Sequence, residues 1–205
     1  LNLDHLDRAI RALPHTGPKG FEGLLRDTLI ELTGQAFDLK KSGPQGGVDL
    51  ISGRGSGLVI GIEGKHYDAA TRLPLDALKS KLRDAVDHHP AMDLWLLATS
   101  RPIDAGDGEA LEQLGASLGV EVVVLDWDDK GAVPPALAIL CAAAPYASAH
   151  HLGTAIAVDL DRLRQGPFFA AEAARLRERL RGATIGLAAA RAAVCDWARA
   201  QMRDI

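Results

Sequence analysis

A three-layer α/β domain built on a mixed sheet is the architecture that this sequence predicts, and three observations predict it. Two continuous apolar runs, DLWLLATS (93–100) and VEVVVLDW (120–127), read as strands buried on both faces. Segments with apolar residues at helical spacing alternate with them. Ahead of both, the Gly-rich turn GRGSG separates VDLIS from LVIGIEGK, which makes a β-hairpin. Strands alternating with helices need helices on both sheet faces, and the hairpin adds antiparallel pairing.

The elements follow in order. Residues 3–13 carry a short helical pattern that ends before Pro14, and HTGPKG is a loop. Phe21, Leu24, Leu25, Thr28, Leu29 and Leu32 recur on one helical face, and Gly34 stops that helix. Phe37 to Lys41 is extended, and SGPQGG is a turn cluster. After the hairpin, Leu75, Leu78, Leu82, Ala85 and Val86 mark a helix over 71–87. A further helix over 107–118 separates the two apolar strands, and Pro134 and Pro135 open another that runs to about Pro145. From 149 onward there is no strand signal. Phe168 to Arg181 and Gly186 to Met202 read as Ala/Arg-rich amphipathic helices, punctuated by Gly166-Pro167 and Gly182. The sequence therefore divides into a domain over 1–148 and a helical linker or appendage over 149–205.

Composition narrows the function classes. With 47% hydrophobic and 24% charged residues among 205, the chain is ordinarily globular. No apolar run approaches the roughly 20 residues of a membrane span, so no membrane partner is expected. The first residues lack a secretory pattern. Cys141 and Cys195 lie in apolar helical contexts and supply neither a disulfide scaffold nor a zinc cluster. A cytoplasmic protein is expected, and a start at Leu1 reads as a piece of a longer one. The net charge of −4 splits unevenly. Residues 1–148 hold 14 Lys+Arg against 21 Asp+Glu, giving −7, and residues 149–205 hold 9 against 6, giving +3. Six of the seven lysines fall between Lys19 and Lys81, which allows a local basic rim on an acidic domain. His88-His89 and His150-His151 are adjacent pairs that diverge by about 100° on a helix, so neither forms a natural chelate. Trp95 and Trp127 sit on apolar strands as core residues.

The chemistry concentrates on the hairpin. Asp49 stands between Val48 and Leu50, Glu63 follows Ile62, and Lys65 comes two residues later. Charges in a half-buried hairpin are costly unless they are paired or bind metal. With the turn near Gly55 and Ser56, position 49 lies opposite about 62, which brings Asp49 and Glu63 within reach of one cation. Period-two alternation puts Glu63 and Lys65 on one face and Ile60 and Ile62 on the other, toward the core. Gly64 leaves room for a metal or phosphate to approach the backbone, whose carbonyl is a third oxygen donor. Such a hard oxygen set suits Mg²⁺, with Mn²⁺ as a substitute. Lys65, a point charge, can then orient a water and stabilise developing negative charge.

GFEGLLRDTL, GGVDLIS and LVIGIEGKHYD resemble the PD-(D/E)xK nuclease superfamily, and within it the Mrr-like restriction endonucleases, over about residues 17–100. The resemblance implies a restriction-endonuclease-like fold and a metal-dependent DNA endonuclease with Glu22, Asp49, Glu63 and Lys65 in its active site, double-stranded DNA being the expected substrate. Glu22 would reach the metal from the helix, directly or through water; it reads equally as an exposed helical residue. Gln45, His66 and Lys79 are the further candidates for nucleic-acid contact, and of Lys79 and Lys81 helical spacing allows only one on the groove. The C-terminal segment is similar to the helical connector between an effector nuclease and a STAND-type NTPase in bacterial antiviral proteins. That implies homo-oligomeric assembly through a region that this chain lacks, since no Gly-x4-Gly-Lys-Ser/Thr is present. The alternative is a catalytically inactive nuclease-fold module for nucleic-acid binding or oligomerisation.

Overall fold

An interior strand shows how the layers are built. Leu94, Leu96 and Ala98 of β4 (Leu94–Thr99) enter one apolar cluster, while Trp95 and Leu97 enter another on the opposite face. A strand apolar at every position must be covered on both sides. The structure, a computed structural model, describes residues 2–40, 46–52, 58–67 and 74–180.

The sheet has five strands in the sequential order β1 (Phe37–Leu39), β2 (Leu50–Ser52), β3 (Ile60–Lys65), β4 and β5 (Glu121–Leu125). β1, β2 and β3 pair antiparallel, and β3, β4 and β5 run parallel. The parallel steps need crossovers, supplied by α3 (Leu75–His88) and α4 (Ala105–Leu118). Both pack on the Trp95 face, through Leu78, Leu82, Ala85 and Leu111. The opposite face carries α1 (Asp4–Arg11), α2 (Phe21–Thr33), α5 (Ala136–Ala143), α6 (Pro145–Leu152) and α7 (Ala157–Gln165). The predicted α/β class with a mixed sheet is therefore what forms. α1 to α5 begin and end within a few residues of the predicted bounds, α6 and α7 are not among the predicted helices, and Gly34 ends α2 in the left-handed conformation (φ 71°).

The hairpin register is the one that the turn predicts. β2 on β3 pairs Leu50 with Ile62 and Ile51 with Gly61, and the Asp49 N–H donates to the Ile62 carbonyl (2.7 Å), so position 49 lies opposite 62–63. A slip of one residue exchanges the faces of a strand, and the core decides here: Leu50 and Ile62 are both buried in the α2-side cluster. Ser52 closes the far end, its Oγ donating to the Leu58 carbonyl (2.8 Å) and accepting from the Ile60 N–H (2.8 Å).

The expected division at 148/149 is not marked by a break in packing among the described residues. That boundary falls inside α6, and the chain through residue 180 belongs to the same core. Leu160, Leu163, Leu176 and Leu180 are buried in it. Residues 169–180 are helical, and Arg179 donates to the Val122 carbonyl (2.7 Å) and pairs with Glu121 (3.4 Å), which covers the free edge of β5. An open strand edge invites unwanted pairing, so helices of linker-like composition are here part of the fold. The helix expected over 186–202, with Cys195, lies outside the described residues. Cys141 is buried, and burial pushes its thiol up to about 12, so it packs as a small apolar group.

Candidate active site

The site forms at the start of β2, where β3 continues with ladder pairing on its β4 side only. The Asp49 N–H donates to the Ile62 carbonyl (2.7 Å), the last main-chain link at this end of the hairpin. Beyond it the Asp49 side chain takes over, and its Oδ2 accepts the Gly64 N–H (2.8 Å). Backbone groups alternate in direction along a strand. The Lys65 carbonyl accepts from Ser100 on the β4 side, so the Gly64 carbonyl points toward Asp49. A Cβ at Gly64 would stand 3.6 Å from Asp49 Oδ2 and 3.3 Å from Leu25 Cδ1, in ordinary to tight contact.

Glu63 lies across from Asp49 with only 1% of its surface exposed. Lys65 Nζ donates to Glu63 Oε1, and Lys81 Nζ from α3 stands 3.9 Å from the same oxygen. Glu63 Oε2 is buried with no hydrogen-bond partner among the described residues. An unsatisfied buried carboxylate oxygen costs more than the roughly 1–3 kcal/mol of a neutral group, so a fold keeps one only under another constraint. Burial, then the like charge of Asp49, pushes the Glu63 carboxyl above its usual range, and Lys65 and Lys81 pull it partly back. Burial also works against the Lys65 ammonium, but the charge and hydrogen bond of Glu63 outweigh it, and the net shift is upward. Lys65 is therefore a cation at neutral pH.

Glu22 occupies the first turn of α2, where its Oε2 accepts the Gly17 N–H (2.9 Å). Burial raises its carboxyl; the Gly17 bond and Lys65 oppose this, and Asp49 adds to it. Glu22 thus shares the electrostatic field of the hairpin pair while one oxygen is held by its own loop.

We compared the chain with protein-family models, curated proteins and solved structures. None matches. The site is therefore read from its own geometry.

Among the described residues no group of three or more His, Cys, Asp or Glu side chains is gathered to hold a metal ion. The donors on offer are the carboxylates of Asp49 and Glu63, close enough for the charge of one to raise the other, and the Gly64 carbonyl on the Asp49 side of β3. That set fits Mg²⁺, which is commonly held by one or two carboxylates and keeps several waters. The unpartnered Glu63 Oε2 is the donor in want of a ligand.

The remaining candidates fare differently. Gln45 lies outside the described residues. His66 is 8% exposed, its Nε2 is 2.9 Å from the Ile10 carbonyl, and its ring centroid is 5.1 Å from that of Phe21. It joins α1 to the end of β3. Lys79 is only half-buried on α3 and lies about 200° around the helix from Lys81. Lys81, not Lys79, is the lysine of α3 that reaches Glu63. A signal for this was present in the spacing: Lys81 lies three residues after Leu78 and four before Ala85, both buried. A cavity of about 350 Å³ lies elsewhere, between β5, the 131–136 loop and residues 172–179, and takes no part in this site.

Proposed function

We propose that the chain is a Mg²⁺-dependent endonuclease of the PD-(D/E)xK type that hydrolyses phosphodiester bonds in DNA on a restriction-endonuclease-like fold. One observation carries the reading: Glu63, buried and with one oxygen unsatisfied, faces Asp49 across the hairpin with Lys65 bonded beside it. Asp49, Glu63 and the Gly64 carbonyl would hold the ion, and Mn²⁺ would substitute. When bound, Mg²⁺ supplies charge neutralisation at phosphate and a more acidic water. Lys65, held by Glu63 two residues away, orients the attacking water and offsets charge on the phosphate. Glu22 supports the set from α2 through its carboxylate. Double-stranded DNA as substrate, a role in antiphage defence or restriction, and homo-oligomeric assembly through a further NTPase region rest on the sequence resemblance.

A second reading has its own observation. Glu63 is already countered by Lys65 and Lys81, and Glu22 is engaged by Gly17. An internally balanced cluster of this kind suits a catalytically inactive nuclease-fold module. One experiment separates the two. The purified chain is incubated with Mg²⁺ or Mn²⁺ and supercoiled DNA, linear DNA or RNA, beside Glu63→Ala and Lys65→Ala. Metal-dependent nicking lost in both variants, with far-UV circular dichroism unchanged, is the expected result. Cleavage by the double variant at the wild-type rate sinks the proposal.

A further inference from the structure

The cation that the motif does not contain is the more available of the two on Glu63. Lys65 is bonded to Oε1 with 18% of its side chain exposed. Lys81 stands 3.9 Å from the same oxygen, beyond hydrogen-bond distance, with 41% exposed. Its ammonium therefore belongs partly to the buried carboxylate and partly to solvent.

Its place is set by the turn that delivers Asp49. Gly47 has φ +74°, and a Cβ there would stand 2.1 Å from the Lys81 carbonyl oxygen and 2.4 Å from the Ala85 nitrogen. A Cβ at Gly46 would meet the His88 ring at 2.7 Å. α3 thus rests directly on the Gly46-Gly47 backbone, two residues ahead of Asp49. Trp95 Nε1 donates to the Gly47 carbonyl (3.3 Å) and ties the same turn to β4. Helix, turn and strand are one packed unit, so Lys81 arrives beside the carboxylates by construction. A lysine needed only to balance Glu63 would close the remaining gap and bury its stem.

We infer that Lys81 is a substrate-positioning residue. Without metal its charge helps to neutralise Glu63; with a divalent cation on that carboxylate, the ammonium is repelled and released to a nucleic-acid phosphate. The inference rests on the nuclease reading of the site and adds a binding residue from outside the hairpin motif.

The test compares wild type, Lys81→Gln and Lys81→Arg. Anisotropy of a labelled DNA duplex, with Ca²⁺ in place of Mg²⁺ to hold off cleavage, is followed across a salt series. Mn²⁺ binding without DNA is followed by calorimetry. Lys81→Gln should bind DNA about tenfold more weakly, with a log–log salt slope shallower by about one. It should bind Mn²⁺ several-fold more tightly, because a competing cation is gone. In cleavage its KM should rise while kcat stays within about twofold of wild type, the pattern of lost uniform binding. Lys81→Arg should restore DNA affinity and slope. An unchanged salt slope in Lys81→Gln, or failure of the arginine to rescue, overturns the inference, as does Mn²⁺ affinity that does not rise. A wild type that binds metal and DNA but never cleaves removes the nuclease reading alone, and the binding arms still judge Lys81. A wild type that does not bind the duplex overturns both.

Discussion

Two carboxylates among the described residues, Asp159 and Glu63, have no more than 1% of their surface exposed, and they are held in opposite ways. Asp159 of α7 is 0% exposed; its Oδ2 accepts the Leu6 N–H (2.9 Å) and its Oδ1 lies 3.3 Å from His5 Nδ1. It fastens α7 to the first turn of α1, where a negative charge also meets the positive end of the helix dipole. Glu63 is 1% exposed, yet it has ammonium groups on one oxygen and, among the described residues, no hydrogen-bond partner on the other. Both oxygens of Asp159 meet partners within the fold. On the proposed reading, the free oxygen of Glu63 and the like charge of Asp49 suit a cation.

The largest effect that would sharpen this contrast is expected from Glu63→Gln. The shape is kept and the charge removed, so cleavage should fall by at least about 100-fold, the scale of losing one electrostatic contact in a transition state. The rise in melting temperature caused by Mn²⁺ should vanish with it. At metal a hundred times above its Kd that rise corresponds to about 2.7 kcal/mol. A variant that is still stabilised by Mn²⁺ would show that Glu63 is a buried ion-pair partner like any other.

Asp159→Ala should do the reverse. Leaving the Leu6 N–H unsatisfied in the interior costs about 1–3 kcal/mol, and each kcal/mol lowers Tm by roughly 2–4 °C in a chain of this size. Thermal melting should record that loss while the Mn²⁺ shift and the cleavage rate, measured below the new Tm, stay as in wild type. Loss of the metal response in this variant would show that the two carboxylates are coupled.

Glu22→Gln is expected to have a smaller consequence. The amide oxygen can still accept from Gly17 N–H, so the loop should hold, but the charge that Lys65 and Asp49 feel is gone. A drop of about tenfold in kcat, with Tm unchanged, is the expected kinetic result, at the scale of a residue that supports metal ligands. A wild-type kcat would assign Glu22 to the loop alone.

The mildest handle is pH. The folded-state carboxyls of Glu63 and Glu22 are raised above their usual values, chiefly by burial. A raised carboxylate stabilises the fold below its unfolded pKa, and that contribution is lost as pH rises through the folded value. Bound metal offsets the loss by countering the ionised form, and protons leave as it binds. The Mn²⁺-induced rise in Tm should therefore grow as pH climbs from the ordinary carboxylate range toward neutrality. Asp27 runs the other way. Burial acts to raise it, but hydrogen bonds from Arg26 and His151 prevail and it is lowered, so its share of stability fades as acid is added. Melting curves from pH 4 to 8, with and without Mn²⁺, separate the two behaviours.

Much of this was legible in the residues. Continuous apolar runs predicted the buried strands β4 and β5, and the spacing of Phe21, Leu25 and Leu29 predicted α2, because both are local consequences of which side chains must leave water. Asp49, Glu63 and Lys65 stood out because charge is expensive in such a hairpin. Other features were out of reach. Arg179 covering β5, and α7 bonded to α1 through Asp159, join residues more than fifty positions apart. Their Ala/Arg-rich composition alone suits a solvated linker equally well. Among the described residues no helix is long and apolar enough to cross a membrane, in line with the absence of a spanning run in the sequence.

The sequence by itself determined the periodicities, and with them the layer order and the identity of the charged residues on the hairpin. Only the tertiary structure decided what those charges meet. It fixed the hairpin register, because the shared burial of Leu50 and Ile62 leaves one face of the pair in the core. It buried His66 against Ile10 and Phe21, and it chose Lys81 over Lys79, because α3 settles on a turn with no side chains to hold it off. It also left Glu63 one oxygen short. A strand's period of two is a property of its own backbone, whereas a carboxylate's partners are chosen by packing among elements far apart in the chain.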